Sequence, residues 1–203
     1  MHHRQLGSFT TDQRQQNILS NVRQYVLSAM AKNDPAHDST HVQRVVRLTV
    51  QLCAAYPQTD SFRAQLLAWL HDLHDDKLPS DTGTDTLRAL LRTAGTPEAD
   101  ISFILEALPY ISYRKHPKLG PQTPLEIRIV QDADRIDAMG AMGIARTFAY
   151  GGAKNRPLED SLAHFDQKLL LLYDLLSTDA AKELALPRFE FLKSFYKQYQ
   201  DEL

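Results

Sequence analysis

Leu66-Leu67-Ala68-Trp69-Leu70-His71-Asp72-Leu73 is the stretch on which the reading of this chain turns. Five apolar residues in succession describe a buried segment. The imidazole and carboxylate that follow sit inside the same apolar pattern, and burial of an unpaired polar or charged group is costly enough that each needs a partner. A second His-Asp pair, His37-Asp38, lies among Asn33, Asp34, Pro35 and Ser39, a turn-like setting where Asp38 or Ser39 can cap a following helix. Only His71-Asp72 demands a partner from elsewhere in the fold.

Outward from this stretch the periodicity is helical. Ile18, Val22, Val26 and Met30 share one face, as do Ile101, Ile104, Leu105 and Leu108, and alternating strand patterns are hard to find. The expected fold class is all-α, with about seven to nine helices in a single domain spanning 1–203. Asp34-Pro35 closes a first helix, Pro79 the third, Gly95 follows the fourth and Thr96-Pro97 opens the fifth. Thr123-Pro124-Leu125-Glu126 opens the sixth, with Thr as cap, Pro in the first helical position and Glu placed for a capping box. Two further helices are expected over about 157–176 and 179–200.

Helical projection sorts the polar residues. On the second helix Gln43, Arg44, Arg47 and Gln51 form a polar wedge, and His41 falls in the apolar arc. On the sixth, Arg128, Gln131 and Arg135 mark the water side with Asp132 at its edge, while Asp134 and Asp137 point inward. Three helices thus send imidazole or carboxylate into the core. Near the end of the third helix Asp72, Asp75 and Asp76 crowd the negative end of the helix dipole, a conflict a bound cation relieves, while spacing alone equally allows Asp75 and Asp76 to be solvated surface charges beside Lys77. Two neutral imidazoles and two hard carboxylates suit Mn²⁺, Co²⁺, Ni²⁺ or Fe²⁺, and Mg²⁺ is admissible. Four protein ligands on an octahedral ion leave room for water and a substrate oxygen, as metal-assisted hydrolysis requires.

Composition narrows the partners. Of 203 residues 43% are hydrophobic and 24% charged, with net charge −2, an ordinary globular balance. No basic run offers itself to extended nucleic acid, and the one locally basic segment is Tyr113-Arg114-Lys115-His116-Pro117-Lys118. No apolar stretch reads as a signal or membrane span, and the lone Cys53 suits a reducing cytoplasm. A small phosphorylated substrate held by a metal fits this balance, and self-association is compatible with it.

The ordered set His41, His71-Asp72 and Asp134 resembles the pattern of the HD-domain phosphohydrolases, in which His, His-Asp and a distant Asp lie on three helices. The likeness extends over about residues 20–200 to their small bacterial YpgQ/YedJ-like branch. It is carried by His37-Asp38-Ser39-Thr40-His41 with Arg44-Val45, Trp69-Leu70-His71-Asp72 with Asp75-Asp76-Lys77, and Ile129 to Ala138. Gly143-Ile144-Ala145-Arg146, Tyr150-Gly151-Gly152 and His164-Phe165 with Lys168-Leu169-Leu170 complete it. The resemblance implies an HD-type helical bundle with one divalent ion on His41, His71, Asp72 and Asp134. It also implies hydrolysis of a phosphate ester or anhydride, with a nucleotide as substrate: nucleoside triphosphate to monophosphate and pyrophosphate. By the same resemblance Asp75 or Asp76 serves as general acid or base, and Arg44, Lys77 and Lys115 are the cations for substrate phosphates. His74 and His116 read as facing substrate or solvent rather than as ligands, and His164 as a candidate to orient the site. A nucleoside monophosphate phosphatase and a non-catalytic nucleotide-binding HD domain stay open as alternatives.

Overall fold

The computed structural model of the protein describes residues 10–31, 39–74, 83–113, 115 and 118–203. His37, Asp38, Asp75, Asp76, Lys77 and His116, and the helix stops read at Asp34-Pro35 and Pro79, lie outside the described residues. Among those described there are nine α-helices and no strand: α1 (Thr11–Met30), α2 (Ser39–Cys53), α3 (Ser61–Leu70), α4 (Thr84–Thr93), α5 (Glu98–Ala107), α6 (Leu125–Asp137), α7 (Gly140–Ala153), α8 (Leu158–Gln167) and α9 (Asp179–Asp201). None of the described helices is long and apolar enough to cross a membrane.

The centre is a three-helix contact of α2, α3 and α6. Val42, Val45, Leu48 and Leu52 of α2, Leu66, Leu67 and Leu70 of α3, and Ile129, Val130, Ala133 and Ile136 of α6 are all buried there. Asp60 caps α3 by accepting from the Arg63 backbone N–H at 3.1 Å. The capping box read at Thr123–Glu126 does not form. α6 begins at Leu125 with Pro124 as its N-cap and no side-chain cap, and Glu126 instead accepts the Asp60 backbone N–H at 2.9 Å, tying the starts of α6 and α3 together.

Three further differences from the periodicity have physical causes. Helix α3 stops at Leu70, and His71–His74 form a 3-10 turn, so the His-Asp pair sits on a tighter turn than an α-helix. The stretch 157–176 is α8 followed by a 3-10 turn at Leu169–Leu171. Phe165, Leu169, Leu172 and Leu176 are nevertheless all buried, because their spacing suits successive turns as well as one helix. Helix α7 was not announced by any cap. It follows α6 through a corner where Gly140 adopts φ +69° and a Cβ on Gly143 would lie 2.1 Å from the Ala138 carbonyl, so only glycine allows this approach.

The expected water side of α6 is covered. Gln131, Asp132 and Arg135 are buried: Gln131 donates to the Tyr110 carbonyl at 2.8 Å, and the segment before α9 crosses over Asp132 and Arg135. Asp132 accepts the backbone N–H groups of Ser177 and Thr178, each at 2.9 Å, and the Thr178 hydroxyl at 2.8 Å. Arg135 donates to the Leu175 carbonyl, and Arg188 of α9 donates to the Ile136 carbonyl at 3.0 Å. Helix α6 is therefore buried on both sides.

Candidate metal centre

His41, in the first turn of α2, and His71, at the end of α3, bring their rings to 5.4 Å between centroids at 72°. Asp134 of α6 completes a cluster in which one ligand atom from each of the three residues lies within 4.8 Å of the others. Asp72 stands beside both rings: its Oδ2 is 3.5 Å from His41 Nε2 and its Oδ1 3.3 Å from His71 Nε2. Asp134 Oδ1 lies 3.3 Å from His41 Nε2 and 3.9 Å from His71 Nε2. Both imidazoles are almost fully buried, while the side chains of Asp72 and Asp134 are 15% and 32% exposed. The cluster therefore opens on the Asp134 side.

The other ring nitrogens decide what the facing ones can do. His71 Nδ1 donates to the Ala68 carbonyl at 2.8 Å. A carbonyl only accepts, so Nδ1 carries the proton and, in a neutral ring, Nε2 presents a lone pair to the carboxylates. His41 Nδ1 donates to Asp137 Oδ2 at 2.7 Å, which aims its Nε2 lone pair the same way. His71 Nε2 and Asp72 Oδ2 are buried without a hydrogen-bond partner among the described residues. Lone pairs of nitrogen and oxygen that converge in a buried space repel unless a cation lies between them. The residues present therefore fit a divalent ion.

The protonation equilibria agree. Burial lowers the His41 pKa, but hydrogen bonds with Asp134 and Asp137 outweigh it and push the pKa up to about 9. Burial likewise opposes ionisation of Asp134, and His41, His71 and Lys168 overcome it and hold the carboxyl far below the usual carboxylate range. The site favours positive charge at His41 Nε2, whether from a proton or a metal.

Two residues complete the surroundings. Asp137 is buried and accepts Arg44 Nε at 2.7 Å and Arg44 Nη2 at 3.0 Å as well as His41. Burial opposes its ionisation, yet His41 and Arg44 bring its pKa down to about 2. Arg146 of α7 places Nη1 3.0 Å from Asp137 Oδ2 and 3.0 Å from His41 Nδ1. Arg44, read from sequence as a substrate cation, thus lies on Asp137, with Nη1 on the Thr40 hydroxyl at 3.0 Å. Lys115 is exposed, and His164 is half-buried on α8. Projection signalled Asp137 as an inward carboxylate but not its partner. Arg146 was singled out in sequence only within the Gly143–Arg146 stretch of the family likeness, with no role attached, because no cap announced α7.

The HD domain family matches residues 38–139, a span that runs from just before α2 to the residue before α7. The YpgQ protein of Bacillus subtilis (strain 168) is 35% identical over 195 residues, covering 90% of this chain and 92% of that protein. The chain belongs to the HD domain family. The crystal structure of B. subtilis YpgQ in complex with ADP superposes on this HD protein with a TM-score of 0.81 at 34% identity, covering 94% of this chain and 97% of the other. An HD-superfamily hydrolase from Bacillus thuringiensis gives 0.75 at 32% identity, covering 93% and 97%. HD domains bind a divalent metal, and in this one His41, His71 and Asp134 converge. The family and its hydrolase members make the chain a metal-dependent hydrolase in general terms.

Proposed function

We propose that this HD protein hydrolyses a nucleotide phosphoanhydride, converting a nucleoside triphosphate to monophosphate and pyrophosphate, with one divalent ion on His41, His71, Asp72 and Asp134. The observation that carries this reading is the convergence of two imidazole lone pairs on two carboxylates in a nearly buried space. A nucleotide is favoured because the related YpgQ structure holds ADP. Mn²⁺, Co²⁺, Ni²⁺ or Fe²⁺ matches the mixed nitrogen and oxygen donors better than Mg²⁺, which an all-oxygen site suits. When bound, the ion supplies Lewis-acid polarisation of a phosphoryl oxygen and a nucleophile at neutral pH.

The chain's own residues do the rest. Asp75 and Asp76, which follow the His71–His74 turn directly in sequence, are the groups assigned to hold and move the proton of the attacking water. Lys77 and Lys115 are assigned to the substrate phosphates. Arg44, with its donors on Asp137 and Thr40, serves the centre through His41.

The test is to strip the protein with chelator, reload it with each cation, and assay nucleoside tri-, di- and monophosphates with separate detection of phosphate and pyrophosphate. Metal-restored pyrophosphate release from triphosphates is the expected outcome. Phosphate release from monophosphates alone would move the assignment to a phosphomonoesterase. His71→Ala and Asp72→Ala are each expected to abolish metal binding and turnover while far-ultraviolet circular dichroism stays close to wild type. Full metal occupancy in either variant would remove that residue from the ligand set.

A further inference from the structure

Asp137 has four hydrogen bonds on one buried carboxylate: His41 Nδ1, Arg44 Nη2 and Arg146 Nη1 on Oδ2, and Arg44 Nε on Oδ1. Oδ2 takes three of these donors and Oδ1 one, so both oxygens are engaged. Turning Asp137 away would break several of these bonds at once, so it stays aimed at His41 Nδ1. The donors come from two directions. His41 and Arg44 lie on α2, ahead of Asp137 in the chain, and Arg146 lies on α7, behind it.

We infer that Asp137 is the positioning residue of the metal centre, and that Arg146, from a helix beyond the matched HD segment, holds it there together with Arg44. The inference rests on the metal reading above. Its chain of cause begins at the α6–α7 corner. Gly140 at φ +69° and the bare Cα of Gly143 against the Ala138 carbonyl turn the chain back on itself. Residue 146 thereby returns to within hydrogen-bond reach of residue 137. Its guanidinium closes the far side of the His41–Asp137 pair and leaves the ring one orientation, with Nε2 toward Asp72 and Asp134. Partners that fix a ligating histidine in this way typically change metal affinity 10- to 100-fold when removed. Loss of a positive charge at residue 146 acts in the opposite direction, by making the neighbourhood more attractive to a cation. At a site whose geometry depends on one hydrogen bond, orientation outweighs that field.

A double-mutant cycle separates these effects. The full-length protein is demetallated and titrated with Mn²⁺ as wild type, Asp137→Asn, Arg146→Gln and the double variant, with the melting temperature of each metal-free form recorded. Asp137→Asn is expected to weaken Mn²⁺ binding roughly 10- to 100-fold and Arg146→Gln on the order of tenfold. In the Asp137→Asn background Arg146→Gln should add nothing, because its effect passes through Asp137. Arg188→Gln, which removes a neighbouring tie between α9 and α6, should lower the melting temperature and leave Mn²⁺ affinity as in wild type. Arg146→Lys should recover part of the loss, and if Asp137→Asn does not fold, the two Arg146 variants carry the test. Unchanged or tighter binding in either single variant, or losses that simply add, overturns the inference. A wild-type protein that takes up no Mn²⁺ overturns the metal reading and this inference with it.

Discussion

His71 and His41 are oriented by different means. The first is held by a carbonyl three residues earlier in its own turn, the second by a carboxylate 96 residues later. One ring is fixed by local folding and the other by tertiary assembly. Elsewhere single residues lack such provision. The Thr49 hydroxyl is fully buried in α2 without a hydrogen-bond partner among the described residues. Thr49→Val keeps its shape and removes the orphaned group, so chemical denaturation should show a gain of about 1 kcal/mol; a loss would mean the hydroxyl has an acceptor. His164 sits where burial, and then the charges of Lys168 and Arg156, push its pKa below the ordinary histidine value. The folded protein thus prefers the neutral ring, and below about pH 6.5 the unfolded chain binds a proton that the native state resists. Stability should fall as pH drops below that point, and His164→Gln should flatten this part of the profile. Parallel profiles for the two proteins would count against it.

At the scale of elements, α6 explains most of what periodicity missed. Its inward face was legible, since Ile129, Val130, Ala133 and Asp137 follow the helical repeat. Its other face carries Gln131, Asp132 and Arg135, which look like solvent residues on a wheel, yet Gln131 meets the Tyr110 carbonyl and the segment before α9 covers Asp132 and Arg135. No local pattern encodes a cover supplied 45 residues later. Asp132 fastens that cover, accepting three hydrogen bonds at the start of α9. Asp132→Ala would leave two backbone N–H groups and a hydroxyl unpaired, and should cost about 2–4 kcal/mol in urea denaturation. A cost below about 0.5 kcal/mol would show that water replaces it, as at ordinary surface positions. The α6–α7 corner was illegible for a related reason: it depends on close contact, where Gly140 and Gly143 let one helix turn sharply into another.

For the molecule as a whole, the convergence of His41, His71 and Asp134 was legible because inward polar groups are expensive and therefore rare. The role of Arg146 was not, although the family likeness included the residue, because a positive charge on a helix ordinarily reads as solvated. An ion bound only by the folded state should stabilise all of it: at about 100 times its dissociation constant, Mn²⁺ adds about 2.7 kcal/mol. For a chain of this size that corresponds to a rise in melting temperature of roughly 5–10 °C, reversed by chelator. An unchanged melting temperature at saturating metal would exclude an ion in the core. The spacing of the centre along the chain also has a consequence for how the protein is made. By residue 72 the growing chain already carries both imidazoles and one carboxylate, but Asp134, Asp137 and Arg146 emerge only after some sixty to seventy more residues. At typical rates of synthesis that interval is several seconds. During it the first half of the centre has neither its closing carboxylate nor the anchor of its first histidine, and the full set of residues around it exists only once residue 146 has been made.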